Sequence, residues 1–376
     1  MSKIRFKSAF LLAKFAGLIS RQILRKSGET IPGYVLMRLA PGPLKVLSQG
    51  KRIVLVSGTN GKTSTTKALV GAASTLEEVA TSTSGSNLAR GAATALMSSA
   101  RLAILEVDEL HLPGIITKTN PEVVLLLNLS RDQLHRMHEV KRVADRWHEA
   151  ASKAQETIFV IDVDDPFLNY ATKDSKKVIK VSFGGRRHPD GSVCPSCGRY
   201  MNWNGGIYDC QCGLNNKVSD QLYPDGSAAY RNATLANVAA GLLGAPPLHI
   251  DEKALERSVT KDINGVEAEI RLTKNPASWT EALKGVDTNY VILILNARQV
   301  DGIDTSWLWD VSFASLKGKK VVVCGERDLD MAYRLHVEGI ESQVVENIDQ
   351  ATKQFEKGQK VNVLAAYTAF FGLVNK

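Results

Sequence analysis

The stretch from Ile53 to Thr65 limits what this chain can fold into more than any other. The apolar run Ile53-Val54-Leu55-Val56 meets Ser57-Gly58-Thr59-Asn60-Gly61-Lys62-Thr63, and a helix-forming sequence follows. Such an order predicts a buried strand, a glycine turn and a helix start, which is a cradle for phosphate. The glycines let backbone N–H groups approach a polyphosphate, and the helix turns its positive dipole end toward the anion. Lys62 can reach the outer phosphates while Thr63 offers a hydroxyl to Mg²⁺. Val56 stands where the longer G-x-x-x-x-G-K-[ST] pattern has its first glycine. The shorter G-T-N-G-K-T therefore rests on its strand-and-helix context. The reading is an ATP site made by Gly58, Thr59, Asn60, Gly61, Lys62, Thr63 and Ser64.

Beyond this loop, apolar strands alternate with helical patterns. Leu102 to Leu105 runs into Glu106-Val107-Asp108-Glu109, and a carboxylate at the carboxyl end of a parallel strand beside such a loop is where Mg²⁺ is expected, with Glu106 the first choice. Val123 to Leu127 is another all-apolar strand of the kind buried on both faces of a parallel sheet, and Thr157 to Ile161 forms a further strand. This alternation predicts a doubly wound α/β domain over residues 46–244. Gly244-Ala245-Pro246-Pro247 reads as a linker, with a helix around Glu252 to Val259 beyond it. Strands at Val291 to Leu295, Val321 to Val323 and Val361 to Leu364, with a helix around Leu329 to Gly339, predict a smaller α/β domain over 245–376. A chain of 376 residues is long enough for two such cores.

Four of the five cysteines fall together as Cys194-Pro-Ser-Cys197-Gly198 and Cys210-Gln-Cys212-Gly213. The spacing predicts a four-thiolate zinc ribbon inserted at about residues 186–216, structural because no coordination position stays open. Two disulfides are the competing reading, set against the absence of a secretory signal pattern, which favours a reducing compartment. The remaining Cys324 follows an apolar run and reads as a core residue.

The net charge of +8 is spread along most of the chain. Residues 1–26 are the exception, with Lys3, Arg5, Lys7, Lys14, Arg21, Arg25 and Lys26 alternating with Phe6, Phe10, Leu11, Leu12, Phe15, Leu18, Ile19 and Ile23. That pattern predicts a basic amphipathic helix within an N-terminal segment, 1–45. Its apolar face is expected to pack on the nucleotide domain; contact with an anionic membrane surface is the second reading. No apolar run approaches the roughly 20 residues of a membrane span.

The order of these pieces resembles the Mur ligase family: G-T-N-G-K-T, E-V-D-E, N-L-x-R-D-Q-L and D-x-D-D-P. The cysteine ribbon, L-x-K-N-P at Leu272 to Pro276, D-G-x-D-x-S-W-x-W-D at Asp301 to Asp310, G-x-R-x-x-D-M-A-x-R-L at Gly325 to Leu335 and A-Y-T-A at Ala366 to Ala369 are similar to its MurT branch. The resemblance implies a cytoplasmic enzyme, with a place at the inner face of the cell membrane as the second reading, that uses ATP and Mg²⁺ to amidate the D-glutamate α-carboxylate of the lipid II stem peptide. It also implies a GatD-like glutamine amidotransferase partner as the ammonia source. By the same resemblance Lys62 and Glu106 serve phosphoryl transfer, Thr63 and Glu106 hold Mg²⁺, and Asn237 lies beside adenine. Lys274 and Asn275 face the nucleotide, and Asp301 serves the partner's Cys-His pair. As a turn residue before Gly302, Asp301 also has a purely structural reading. The chain departs from the family pattern at His135, Asp162 and Val266, with Gln133 as in the amidating branch. Two rival readings are an amino-acid-adding ligase on a UDP-linked precursor and a zinc-ribbon nucleic-acid-binding ATPase. The second is disfavoured because Tyr200, Trp203 and Tyr208 have only Arg199 as basic company on the ribbon, so nucleic acid is not an expected partner.

Overall fold

A computed structural model describes residues 3–22, 30–82, 87–132, 140–248 and 258–375. The chain divides into two compact units, Met1–Leu129 with Val140–Leu255, and Ser130–Glu139 with Glu256–Lys376.

In the first unit the strands are β1 (Arg52–Ser57), β2 (Val79–Thr81), β3 (Leu102–Glu106), β4 (Val123–Leu126), β5 (Ile158–Asp162), β6 (Val178–Ser182), the short β7 (Asn202–Asn204) and β8 (Ile207–Asp209), and β9 (Gln221–Leu222). All but β7 and β8 form one parallel sheet in the order β2-β3-β1-β4-β5-β6-β9. β3 and β4 are buried along their whole length, as uninterrupted apolar strands covered on both faces must be. One face carries the helices Lys62–Ala73 and Ala228–Leu243. Ala236, Ala239 and Ala240 of the second helix lie in the same core as Leu69, Val54, Val56 and Val123; their small side chains allow close approach to the sheet. The chain runs from β1 to β2 on one side and from β3 across β1 to β4 on the other. The carboxyl end of β1 is thus a topological switch point, where doubly wound folds bind ligands.

The hairpin β7–β8 belongs to an insertion between β6 and β9, so the cysteine segment interrupts the sheet domain as expected.

The N-terminal helix, Lys3–Gln22, departs from expectation in its packing. Its small residues Ala9, Ala13, Gly17 and Ser20 are the buried ones, while Leu11, Leu12, Phe15, Leu18 and Ile19 are exposed. The close fit of Gly17 against Pro32 explains the choice: a Cβ at Gly17 would lie 2.6 Å from the proline ring.

The second unit holds β10 (Ser258–Ile263), β11 (Val266–Leu272), β12 (Tyr290–Ile294), β13 (Lys320–Cys324), β14 (Ser342–Val344) and β15 (Lys360–Ala365), in the order β10-β11-β15-β12-β13-β14. Ser258 and Val259 are therefore strand, where a helix was expected; the rest of that expected helix lies outside the described residues. The strand here has a local cause. Asn264 and Gly265 take φ of 58° and 86°, the two-residue turn that matches strand twist, and it pairs Ile263 with Val266. Val266 is buried in the resulting core with Ala268 and Ile270.

Candidate nucleotide site and four-cysteine cluster

The glycine loop leaves β1 at the switch point, flanked by Glu106 of β3, in register with Val56, and by Leu126 of β4, in register with Ser57. Asn128 clamps it. The Asn128 carbonyl accepts from Thr59 N at 2.9 Å, its Oδ1 accepts from Asn60 N at 2.9 Å, and its Nδ2 donates to the Asn60 carbonyl at 2.9 Å. Three hydrogen bonds from one asparagine fix three consecutive peptide units of the loop. Gly61, at φ +86°, begins the Lys62–Ala73 helix, and a Cβ there would lie 2.0 Å from Asn232 Nδ2.

The Lys62 ammonium is buried and donates to the Gly58 and Thr59 carbonyls and to Glu109 Oε2, the last at 3.1 Å. The Glu109 carbonyl in turn accepts from Trp147 Nε1 at 2.9 Å. Lys62 is thus folded back over its own loop, paired with Glu109 and not with Glu106. Glu106 is only 5% exposed, and among the described residues no donor reaches its carboxylate. A buried acceptor without a protein donor at the carboxyl end of β3 is suited to a hard cation. Thr63 and Ser64 lie half-buried in the first helical turn.

Asn232 is delivered to the loop by the residue before it. Arg231 donates from Nε to Asp162 Oδ2 at 3.0 Å and from Nη2 to the same carboxylate, lies 3.7 Å from Asp164, and stacks over Phe183 at 4.6 Å. Burial, opposed by Arg231 and reinforced by Asp164, pushes Asp162 up to about 7. Anchored in this way, the start of the Ala228–Leu243 helix holds Asn232 against Gly61. Asn237 lies farther along the helix, where its Oδ1 accepts from Leu248 N at 3.0 Å. Of the polar residues on this helix it is Asn232, not Asn237, that touches the glycine loop.

The four cysteine sulfurs converge. All lie within 4.8 Å of one another, with Cys194–Cys212 at 3.6 Å and Cys197–Cys210 at 3.4 Å. A tetrahedral site with Zn–S bonds of about 2.3 Å has sulfur–sulfur edges of roughly 3.8 Å, whereas a disulfide needs about 2.05 Å. The donor set and its spacing fit zinc, and the tighter C-x-C pair is no obstacle. Gly198 at φ +75° and Gly213 at φ +92° make the turns after each pair. Tyr208, just before Cys210, donates to the Val163 carbonyl at 2.9 Å, and Asn216, just after Cys212, donates to Asp164 Oδ1 at 2.9 Å. The cluster is tied in this way to the turn after β5.

In the second unit, Lys274 pairs with Asp132 at 3.1 Å. Asn275 is the N-cap of the Pro276–Lys284 helix, in a reciprocal capping box with Ser278. Asp301 is buried; its carboxylate accepts from Thr368 N and Thr368 Oγ1, both at 2.7 Å, and from Arg298 N at 3.1 Å. It therefore joins the turn after β12 to the first turn of the Tyr367–Val374 helix. Gln133 and His135 lie outside the described residues, as do residues 83–86.

A Mur ligase middle-domain model matches residues 56–212 and a MurT ligase C-terminal model matches residues 272–370. Two solved structures share the fold: a pseudomurein peptide ligase type C from Methanothermus fervidus, with TM-score 0.62, 15% identity and coverage of 87% of this chain and 79% of the other, and MurF from Thermotoga maritima in complex with ADP, with TM-score 0.61, 16% identity and coverage of 92% and 82%. Fold, glycine loop and domain matches together define an ATP-dependent ligase of the Mur ligase type. Among curated relatives, the lipid II isoglutaminyl synthase (glutamine-hydrolyzing) subunit MurT of Streptococcus pneumoniae is 28% identical over 423 residues, covering 95% of this chain and 94% of its own. The same subunit from Staphylococcus aureus is 28% identical over 399 residues, covering 90% and 89%. The chain is thus similar over nearly its whole length to MurT subunits, and its residues 272–370 match the MurT model.

Proposed function

We propose that this protein uses ATP to activate the α-carboxylate of D-glutamate in the lipid II stem peptide and amidates it to D-isoglutamine. The observation that carries this reading is the similarity, over nearly the whole of both chains, to the MurT subunits of lipid II isoglutaminyl synthase.

A carboxylate is a poor electrophile. Transfer of the terminal phosphoryl group of ATP to it gives an acyl phosphate and ADP; ammonia then attacks the acyl carbon, phosphate leaves, and the ammonium-derived proton passes to solvent. Positioning and charge stabilisation carry the first step. The loop N–H groups held by Asn128 would bind the phosphates, and Lys62 would exchange its contacts with Gly58 and Glu109 for phosphate oxygens. Glu106 and Thr63 would hold Mg²⁺, which supplies charge neutralisation when bound. Cys194, Cys197, Cys210 and Cys212 would hold a structural zinc ion.

The ammonia source is assigned to a GatD-like glutaminase partner. Supporting this, burial pushes the Cys324 thiol up to about 12, the wrong direction for a nucleophile, while the other four thiols converge on one point. Val300 and Ile303, exposed on either side of Asp301, offer apolar surface to such a partner.

The direct test incubates purified lipid II with this chain, ATP, Mg²⁺ and ammonium, beside a Lys62→Ala control. Mass spectrometry should find a loss of about 1 Da, the replacement of hydroxyl by amine, that requires Lys62. No change, even with a cognate glutaminase subunit and glutamine present, would refute the reading and favour the amino-acid-adding alternative.

A further inference from the structure

The helix Lys3–Gln22 buries Ala9, Ala13, Gly17 and Ser20, holds Phe6 and Phe10 half-buried, and exposes five large apolar residues. Leu11 is 66% exposed, Leu12 56%, Phe15 62%, Leu18 53% and Ile19 37%. With 3.6 residues per turn these five fall within an arc of roughly 120°, opposite the face formed by Ala9, Ala13, Gly17 and Ser20. On the same helical wheel Lys7 and Lys14 border the arc on one side and Arg5 on the other, and all three are exposed. The segment contains no acidic residue. Scattered exposed leucines need no explanation, but a continuous apolar stripe does. A stripe bordered only by cations is complementary to an anionic surface.

We propose that this helix lies in the plane of an anionic phospholipid bilayer, with Leu11, Leu12, Phe15, Leu18 and Ile19 among the acyl chains and Arg5, Lys7 and Lys14 at the phosphates. It does not span: among the described residues no helix is long and apolar enough to cross a membrane. The proposal is independent of the amidation reading, though it would place the ligase beside a lipid-linked substrate.

The test is flotation of the full chain with phosphatidylglycerol-rich vesicles and with pure phosphatidylcholine vesicles. The wild type should float with the anionic vesicles and lose binding as salt is raised. Each neutralised lysine should weaken binding about fivefold, so Lys7→Gln with Lys14→Gln should weaken it roughly 25-fold. Leu11→Glu with Phe15→Glu should weaken it by at least roughly a hundredfold, with circular dichroism unchanged because both side chains are exposed. Should that pair fail to fold, the lysine pair carries the test alone. Absence of binding to anionic vesicles, equal binding to both vesicle types, or unaltered binding by both variants would overturn the proposal. So would a concentration-dependent dimer that Leu11→Glu with Phe15→Glu dissociates, since the stripe would then belong to a second copy of the chain. ATP-dependent amidation of a detergent-dispersed substrate should be equal in wild type and variants, which separates failure here from failure of the enzymatic reading.

Discussion

Replacing Gly61 with alanine tests how the glycine loop is held. Two separable costs arise. At φ +86° a residue with a Cβ pays a steric penalty of about 1–2 kcal/mol. In addition, the new methyl would sit 2.0 Å from Asn232 Nδ2, and forcing an extra carbon into a filled space adds about 1–3 kcal/mol. Gly61→Ala should therefore destabilise the first unit by roughly 2–5 kcal/mol, a fall in its melting temperature on the order of 10 °C. Asn232→Ala removes the obstruction but leaves φ unchanged. In the double variant only the backbone term should remain, giving a coupling of about 1–3 kcal/mol between the sites. Denaturant titration of the four proteins measures it, and nucleotide binding followed in parallel should be weakened by Gly61→Ala in both backgrounds, since the loop N–H groups stay displaced. If Gly61→Ala costs the same with and without Asn232, additive to within about 0.5 kcal/mol, the contact is not what excludes a side chain here.

Other perturbations probe the neighbouring networks. Arg231→Met strands the buried Asp162 and Asp164 beside no cation and should cost about 3–5 kcal/mol; Arg231→Met with Asp162→Asn should recover part of that, measured by denaturation midpoint, and no recovery would argue against the pairing. Burial raises Asp162 from an ordinary 3.8 to about 7, so the folded state holds its proton more tightly than the unfolded chain. The associated stability is complete below pH 3.8 and is lost as pH rises through about 7; Asp162→Asn should flatten that part of the stability–pH curve, and an unchanged slope would contradict the assignment. Metal analysis of the purified chain should find one zinc per molecule, lost in Cys197→Ser, with chelation loosening the ribbon as seen by faster amide exchange at Tyr208; a metal-free protein with full protection would rule the site out. Asp301→Asn should abolish glutamine-driven amidation with a partner present and spare the ammonia-driven reaction if the carboxylate serves the partner. Equal loss of both, with a lowered melting temperature, would mean that Asp301 acts through its three hydrogen bonds to Thr368 and Arg298 alone.

The strands around the nucleotide loop were legible because burial on both faces of a parallel sheet demands unbroken apolar runs, and Val54 to Val56, Leu102 to Leu105 and Val123 to Leu126 are such runs. The β10–β11 hairpin was missed although Asn264-Gly265 is a strong turn signal, because β10 alternates exposed and half-buried residues and β11 sets charged residues between its buried Val266, Ala268 and Ile270, so both strands read as polar. The cysteine cluster was legible because its ligands are close in sequence and sulfur has few other uses in that pattern. Glu109 was visible only as one of three neighbouring carboxylates; nothing local says that it, and not Glu106, would meet Lys62. Asn128 and Asn232 carried no local signal either, since an asparagine after a strand or early in a helix has many ordinary uses.

Sequence alone determined the elements and the chemistry available to them: a glycine turn between a buried strand and a helix, four thiols at metal spacing, and an amphipathic N-terminal helix. Those features depend on residues within a turn or two of one another, where covalent connection sets the geometry. Tertiary structure decided which distant side chains close the site and which face of a helix is spent on packing. Asn128 and Asn232 reach the loop only because β4 lies beside β1 and because Arg231 fixes the start of the Ala228–Leu243 helix against Asp162. The N-terminal helix turned its small residues inward because Gly17 lets Pro32 approach closely, a fit that no single-helix periodicity contains, and so left its leucines and Phe15 facing outward.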